Sequence, residues 1–283
     1  MRRPPPGACD AHCHVIGPHS RFPLVPGAGD IRSDSCAGHL RQLDDLGLSR
    51  AVIVHPSSVY GDRREALLDA LAQGSARYRG VAVAHADVDD ATLESWRVAG
   101  VRALRFVTVK DAQGRPFAGS AGFNDFFALA PRMRTLGWHA QFWGDCADIV
   151  SRERDLTRSG VPIVLDHMGK IEVGAGADGR DFLRLCSLVR EGAIWVKLTL
   201  CRNSRHTPDY ADLRPFHDAL VAANPDRLLW GSDWPHLRMG DAAPDAAHLL
   251  RLFSSWIGDE GIEARILADN PQSLFGFPPL GDT

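Results

Sequence analysis

Two histidines separated by one residue end the first hydrophobic run of the chain, residues 8–14. Side chains alternate between the two faces of a strand, so His12 and His14 share one face and Cys13 takes the other. At the carboxyl end of a strand in a parallel barrel, such a pair would lie where barrel enzymes carry out their chemistry. The pair therefore predicts a polar site at this strand end.

Asp233, at the end of the last hydrophobic run, is the residue that would complete this site. The first and last strands of a closed barrel are neighbours, so Asp233 would face the histidine pair. Two imidazoles and a carboxylate could bind one divalent metal ion, or the carboxylate could be the general base for a water molecule. A third interpretation is that Asp233 only holds a histidine tautomer. His167, at another strand end, would polarise a carbonyl, orient the water, or be a buried structural histidine.

Short apolar runs alternate with helix-like segments along the whole chain. The runs predicted as strands are residues 8–14, 50–55, 80–85, 101–106, 137–143, 161–167, 193–199 and 227–233. The predicted helices are near 36–47, 62–75, 89–98, 122–136, 146–159, 180–191, 210–223, 243–257 and 260–269. Eight alternations predict a single-domain α/β (β/α)₈ TIM barrel over residues 1–283. A doubly wound open sheet is the competing fold, disfavoured because no Gly-x-Gly-x-x-Gly turn follows the first strand.

Composition excludes several classes of partner. A net charge of −3 with scattered basic residues argues against nucleic-acid binding. We expect no membrane association, because no apolar stretch approaches the ~20 residues that span a bilayer. The amino-terminal segment lacks the apolar core of a signal peptide, and the six cysteines form no C-x-x-C pair. We therefore expect a cytoplasmic protein with reduced thiols.

Four motifs carry a resemblance to a known superfamily. They are Cys9-Asp-Ala-His-Cys-His-Val-Ile-Gly-Pro18, Asp166-His-Met-Gly169, Val196-Lys-Leu198 and Trp230-Gly-Ser-Asp-Trp-Pro-His236, with Arg21-Phe-Pro23 after the first. In this order and at these strand ends they resemble the amidohydrolase superfamily. More narrowly, the chain is similar to the branch of 2-pyrone-4,6-dicarboxylate lactonases and related sugar-acid and muconolactone hydrolases.

The resemblance implies a distorted barrel that opens a carboxylated lactone, or a similar cyclic ester, by adding water. Asp233 would deprotonate the water, while His12, His14 and His167 would polarise the scissile carbonyl and stabilise the oxyanion. The residues expected to bind the substrate are Arg105, Arg202, Ser57, Ser58, Lys170 and His236. The two arginines would grip substrate carboxylates with their bidentate guanidinium groups. Lys170 stands where that branch has arginine, so the substrate is expected to be a related small anion.

The same comparison bears on the metal. Binuclear members of the superfamily use a carboxylated lysine or a glutamate on the fourth strand and a histidine on the fifth. Here Arg105 would repel a second ion, and the fifth strand ends in Gln141 to Trp143, which are poor ligands. We expect no tightly bound cofactor. The alternative is one divalent ion, Zn or Mn, on His12, His14 and Asp233.

Two rival functions stay open at this stage. A metal-dependent decarboxylase or a lactone isomerase could use the same barrel, and a non-catalytic barrel could bind a small acid without converting it. A homo-oligomer is compatible with the sequence, which identifies neither the assembly nor the exact substrate.

Overall fold

Eight parallel strands form one sheet in chain order and close into a barrel. The computed structural model describes residues 3–111, 113–204 and 206–279, apart from the side chain of Ser75. The strands are β1 Cys9–Cys13, β2 Arg50–Val54, β3 Tyr78–Ala82, β4 Val101–Val107, β5 His139–Trp143, β6 Ile163–Leu165, β7 Ile194–Leu198 and β8 Leu228–Trp230. The predicted (β/α)₈ barrel is confirmed.

Helices follow the strands around the outside of the barrel. They are α1 Cys36–Leu46, α2 Ser57–Tyr60, α3 Glu65–Gly74, α4 Asp90–Val98, α5 Phe123–Leu136, α6 Cys146–Ser151, α7 Glu153–Arg158, α8 Arg180–Arg190, α9 Arg214–Ala223, α10 Ala246–Ile257, α11 Glu260–Ala264 and α12 Asn270–Phe275. A π-helical stretch, Arg265–Asp269, joins the last two. Among the helices described, none is both long enough and apolar enough to cross a membrane.

Several predicted boundaries are wrong in an informative way. The helix predicted over 146–159 is two helices, since Arg152 leaves helical geometry at φ −110° and ψ 8°. The predicted strands are up to three residues too long at their carboxyl ends. His85, for example, lies beyond β3, 38% exposed and 3.5 Å from Asp125. The polar residues that follow an apolar run in the sequence belong to the loop and not to the strand.

A β-bulge in β1 aims both histidines into the barrel. Asp10 pairs with Ala51 and Cys13 with Ile53, so β1 has one residue more than β2 over this interval. Ala11 packs with the inward-facing residues of the barrel, whereas Cys13 packs with the helices outside. A bulge of this kind changes the direction of the following side chains and is common beside active sites.

The junction between β1 and β8 brings Asp233 to the histidines. The amide of Asp233 donates to the carbonyl of His12, and the amide of His14 donates to the carbonyl of Trp234, both at 2.8 Å. A Cβ on Gly231 would lie 2.5 Å from the Cβ of His12, so this close approach requires glycine. The prediction that the first and last strands are neighbours is therefore confirmed.

Buried histidines outside the central cavity, among them His39, His55 and His139, link stability to pH. Burial lowers the pKa of His39 to about 3, of His55 to about 4 and of His139 to about 3. In the unfolded chain these groups titrate near ~6.5. Below that pH the unfolded chain binds protons that the folded chain does not, so stability falls as the pH drops from about 6.5 towards 4. Asp10 opposes the trend, because burial raises its pKa to about 6 and the folded state is then the first to bind its proton.

We expect the free energy of unfolding to decrease between pH 7 and pH 4.5, because the buried histidines with lowered pKa values outnumber the carboxyls with raised ones, Asp10 and Asp34. Each histidine contributes roughly 1.4 kcal/mol per pH unit over this interval. Urea titrations at several pH values measure the effect, and His39→Gln serves as the control that should flatten the slope. A free energy of unfolding that is constant from pH 7 to 4.5 would contradict the assignment of neutral buried histidines.

Candidate active site

Asp166 is the centre of a buried cluster of charges under the carboxyl end of the barrel. Its Oδ1 lies 3.0 Å from Nζ of Lys197 and 3.2 Å from Nδ1 of His12, and its Oδ2 accepts from Nε of Arg105 at 2.9 Å. These four side chains are buried. Burial disfavours the ionised carboxylate, but the neighbouring cations, Lys197 first and then Arg105, outweigh it and hold the pKa of Asp166 well below its usual value. Two cations, Arg105 and Lys197, therefore surround this one carboxylate.

Lys197 has an acceptor for each of its three ammonium protons. They are Oδ1 of Asp166 at 3.0 Å, Oε1 of Gln141 at 2.6 Å and Nδ1 of His12 at 3.0 Å. The same Nδ1 also lies 3.2 Å from Oδ1 of Asp166, and a nitrogen that accepts from Lys197 cannot also donate to this carboxylate. We assign its hydrogen bond to Lys197, whose ammonium group only donates, so Nδ1 of His12 is the acceptor. The ring proton of His12 then lies on Nε2, which has no hydrogen-bond partner among the described residues. His12 in this tautomer is a donor beside Asp233.

Asp233 faces both histidines of the pair. Its Oδ1 lies 3.5 Å from Nε2 of His12 and 3.5 Å from Nε2 of His14. Nδ1 of His14 is 2.7 Å from the carbonyl of Val54 and donates to it, which leaves a lone pair on Nε2. One oxygen of Asp233 thus lies near a donor and an acceptor nitrogen, an arrangement suited to orienting a water molecule that contacts all three atoms.

Arg202 binds the other oxygen of Asp233. Its Nε donates to Oδ2 at 2.5 Å, and its Nη1 donates to the carbonyl of Leu237 at 3.0 Å. Burial raises the pKa of Asp233, but Arg202 and the nearby histidines outweigh it and bring the pKa well below the usual value. Burial also lowers the pKa of His167 to about 4. At neutral pH the site therefore holds an ionised Asp233 and a neutral His167.

A cavity of about 110 Å³ opens above these groups. It is lined by His14, Pro56, Ser58, Arg105, Phe117, Trp143, His167, Arg202, Asp233, Leu237 and Arg238. A larger cleft of about 550 Å³ lies elsewhere and is lined by residues such as Arg3, Asp44 and Arg77, with none of the predicted site residues. The predicted catalytic side chains therefore lie at the smaller cavity and not at the larger cleft.

Most of the predicted site residues meet in this cavity. His14, His167, Asp233, Arg105, Arg202 and Ser58 are in its wall, and His12 lies directly beneath Asp233. Trp143, at the end of β5, packs against both Arg105 and His167. The structure thus brings together the carboxylate, the three histidines and the two arginines that the sequence singled out.

Three predicted contact residues lie outside the cavity wall. Ser57 is buried, with its Oγ 3.5 Å from Oγ of Ser120, because consecutive residues of α2 point in different directions. Lys170 pairs with Asp145 at 2.5 Å and lines a separate surface pocket. His236 has its Nε2 3.1 Å from the carbonyl of Ser232 and lines another cleft, on the side of Trp234. For these three, the predicted substrate contact lacks a geometric basis.

The sequence predicts no role for Asp166, Lys197 and Gln141, which form the floor of the site. A signal for Lys197 was present, since a lysine inside an apolar parallel strand needs a buried partner. Its partner Asp166 immediately precedes His167 in the Asp166-His-Met-Gly169 motif, where the sequence does not separate the roles of the two residues. Phe117 and Arg238 come from loops, and nothing in a single sequence places a loop residue over a barrel.

Two groups of described side chains have donor atoms close enough to share a metal ion. In the group of His12, Asp166 and His167, both oxygens of Asp166 already bind cations, so this group does not fit. The group of His12, His14 and Asp233 fits one divalent ion by donor type and spacing. Such an ion would act as a Lewis acid on a substrate carbonyl.

The fold and the site together define a (β/α)₈-barrel enzyme with a histidine pair and an aspartate where its first and last strands meet. The amidohydrolase family model matches residues 9–277, and the chain belongs to this family. It is 34% identical over 281 residues to a 4-sulfomuconolactone hydrolase of Rhizobium radiobacter, covering 96% of this chain and 91% of the relative. It is 31% identical over 282 residues to a 2-pyrone-4,6-dicarboxylate hydrolase of Comamonas testosteroni, with 96% and 90% covered. A D-galactarolactone isomerase of Agrobacterium fabrum is 27% identical over 285 residues, with 99% and 94% covered.

Proposed function

We propose that this protein is a lactonase that opens a small acidic lactone by attack of a water molecule activated by Asp233. The observation that supports this most directly is one cavity in which Asp233 lies 3.5 Å from two imidazole nitrogens and beside two arginines. Relatives of this chain act on pyrone dicarboxylate and sulfomuconolactone, which are acidic cyclic esters. The alternative of an isomerase or a decarboxylase has less support from these relatives.

In the addition step, the water oxygen attacks the lactone carbonyl carbon while one water proton moves to Oδ1 of Asp233. The lone pair on Nε2 of His14 orients the water by accepting a hydrogen bond from its second O–H, whose proton stays on the attacking oxygen. The carbonyl π electrons move to the oxygen, and the resulting oxyanion is stabilised by donors fixed before the reaction. Nε2 of His12 is such a donor, and the neutral ring of His167 provides the second one.

In the ring-opening step, the oxyanion reforms the carbonyl and the bond from that carbon to the ring oxygen breaks. The leaving oxygen takes the proton that Asp233 received, so Asp233 returns to its ionised form. The product is the open-chain acid, which loses a proton to solvent at neutral pH. Asp233 is therefore base in the first step and acid in the second.

Arg105 and Arg202 attract the anionic substrate. Each uses Nε for a carboxylate of the protein, Asp166 for Arg105 and Asp233 for Arg202. The terminal nitrogens of Arg105, which lines the cavity, then remain for a substrate carboxylate. Arg202 also keeps Asp233 ionised, so it acts on the base as well as on the substrate.

The reaction is proposed to proceed without a metal. Around the candidate ligands lie three cations, Arg105, Lys197 and Arg202, and two carboxylates, Asp166 and Asp233. A divalent ion would add to an excess of positive charge, and Lys197 favours the tautomer of His12 that presents a proton instead of a lone pair. An anionic substrate balances these charges better than a metal does.

We expect removal of metals to leave turnover unchanged within about twofold. The protein would be dialysed against a chelator, its metal content measured, and its rate compared before and after addition of Zn²⁺ or Mn²⁺. A loss of tenfold or more that either ion restores would show that His12, His14 and Asp233 hold a required metal.

The proposed function is tested with a panel of acidic lactones. The panel contains 2-pyrone-4,6-dicarboxylate, 4-sulfomuconolactone and a sugar-acid lactone, and proton release is followed with a pH indicator. Hydrolysis in H₂¹⁸O places one labelled oxygen in the new carboxylate, whereas isomerisation releases no proton and incorporates no label. Label-free conversion to an isomeric lactone would favour the isomerase.

A further inference from the structure

Arg238 is a third arginine in the wall of the candidate active site, beside Arg105 and Arg202. It comes from the loop after β8 and lines the 110 Å³ cavity together with Arg105, Arg202 and Asp233. It also lines an outer pocket of about 520 Å³ that includes Pro26, Gln113 and Phe117. Arg238 therefore lies where the inner cavity meets the outer pocket.

The guanidinium of Arg238 is held in place by the protein. Its Nη2 donates to the backbone carbonyl of Ser58 at 2.8 Å, and its Cζ lies 5.9 Å from the centre of the Phe117 ring. Ser58 and Phe117 line both the cavity and the outer pocket. The backbone of Arg238 has φ 64°, a left-handed conformation that is unusual for a residue with a side chain. A long, exposed arginine is thus fixed at the mouth of the cavity.

The charges of the three arginines are not equally balanced. Arg105 is paired with Asp166 and Arg202 with Asp233. Among the described residues, no carboxylate lies within ion-pair distance of Arg238, and its described polar contact is the carbonyl of Ser58. A guanidinium has five N–H donors in a fixed plane, and the described contact of Arg238 uses its Nη2. Arg238 is therefore the arginine of this site whose charge no described carboxylate balances.

The two connected spaces suggest which part of a substrate reaches Arg238. The inner cavity, with Asp233 in its wall, is about 110 Å³, and the outer pocket is about 520 Å³. With the scissile ester of a lactone beside Asp233, an acidic substituent on the far side of the ring would extend towards the outer pocket, where Arg238 lies.

We propose that Arg238 is a specificity-determining residue that binds a second anionic group of the substrate, a carboxylate or sulfonate on the ring position away from the scissile ester. This rests on the proposed lactonase function and adds which side chain binds the second acidic group of such a substrate. One acidic group lies with Arg105 inside the cavity, and the other forms a bidentate contact with Arg238 at its mouth.

Binding and turnover test this separately. Equilibrium binding of isophthalate, a six-membered ring with two carboxylates in a 1,3 arrangement, is measured by calorimetry against benzoate, which has one. Turnover is measured with 2-pyrone-4,6-dicarboxylate against 2-pyrone-6-carboxylate, and 4-sulfomuconolactone tests the sulfonate. The variants are Arg238→Met, Arg238→Lys and Arg251→Met. Arg251 is a half-exposed arginine paired with Asp245 outside both pockets, and it controls for the loss of one positive charge.

In Arg238→Met we expect the KM for the substrates with two acidic groups to rise about 10- to 100-fold, with kcat within about threefold. The Kd of isophthalate rises in parallel, the values for the ligands with one acidic group change less than threefold, and Arg251→Met resembles the wild type. Arg238→Lys lies between the two, because it keeps the charge but loses the fork. A larger rise in KM for 4-sulfomuconolactone than for 2-pyrone-4,6-dicarboxylate would indicate that Arg238 prefers a sulfonate, and the reverse order would indicate a carboxylate.

Equal effects of Arg238→Met on ligands with one and two acidic groups, or no effect on either, would overturn the role of Arg238 even if all lactones are hydrolysed. If the wild type hydrolyses none of the lactones but discriminates isophthalate from benzoate through Arg238, the anion site stands and the lactonase proposal fails. A thermal unfolding curve of Arg238→Met that matches the wild type shows that the change in KM comes from binding and not from misfolding.

Discussion

Replacement of Asp233 by asparagine is expected to reduce kcat by about 10³-fold or more while the barrel stays folded. Asparagine keeps the shape of the side chain and an oxygen that can accept from Nε of Arg202. It cannot remove a proton from water, and its amide group would face Nε2 of His12 and His14 where Oδ1 now lies. The variant therefore loses the base and keeps the framework.

The result is informative only if the fold is monitored beside the rate. Far-UV circular dichroism should match the wild type, and the unfolding midpoint should fall less than in Asp166→Asn, because Arg202, the cation left without its partner, keeps contact with solvent. Asp145→Asn is a suitable control, because this carboxylate also pairs with a basic residue, Lys170, but lies on the surface and outside the cavity. A kcat of Asp233→Asn within tenfold of the wild type would remove Asp233 from the role of base.

The barrel was predictable because its signals are local. Each strand is a short apolar run buried on both faces, and each helix has its own amphipathic pattern, as in α1, which ends at the predicted Gly47 with φ 72°. The junction of β1 and β8 also followed from the sequence, because a closed barrel makes its first and last strands neighbours. His12, His14 and Asp233 were therefore predictable as a group.

The remaining features of the site depend on distances that one sequence does not contain. The contact of Arg105 with Asp166 joins β4 to the end of β6, and the contact of Lys197 with Gln141 joins β7 to β5. The sequence predicts Arg105 as a substrate-binding residue, but in this structure its Nε also pairs with the carboxylate of Asp166. The bulge in β1 has no sequence signal either, and without it the two histidines and Ala11 could not all face the barrel interior.

Asp166→Asn is expected to be the most destabilising change at the site, lowering the free energy of unfolding by about 3–5 kcal/mol. Asp166 is the shared counter-ion of Arg105 and Lys197, and both cations are buried. A neutral amide leaves two like charges in a low-dielectric region, which burial already disfavours, as the lowered pKa of Lys197 indicates. Chemical denaturation of the variant and the wild type at pH 7 measures the difference.

The double variant Asp166→Asn/Lys197→Met tests whether charge balance is the cause. Lys197→Met alone leaves Arg105 paired with Asp166, so we expect it to cost less than Asp166→Asn. In the double variant, removal of Lys197 eliminates one of the two unpaired cations, and we expect stability to recover relative to Asp166→Asn alone. Additive losses would instead mean that Asp166 matters for its hydrogen-bond geometry. Recovery of stability without recovery of turnover is the expected combination, because Lys197 is also the donor that fixes the tautomer of His12. The buried cluster would then be stable without the lysine, while the orientation of the His12 proton towards the substrate would still require it.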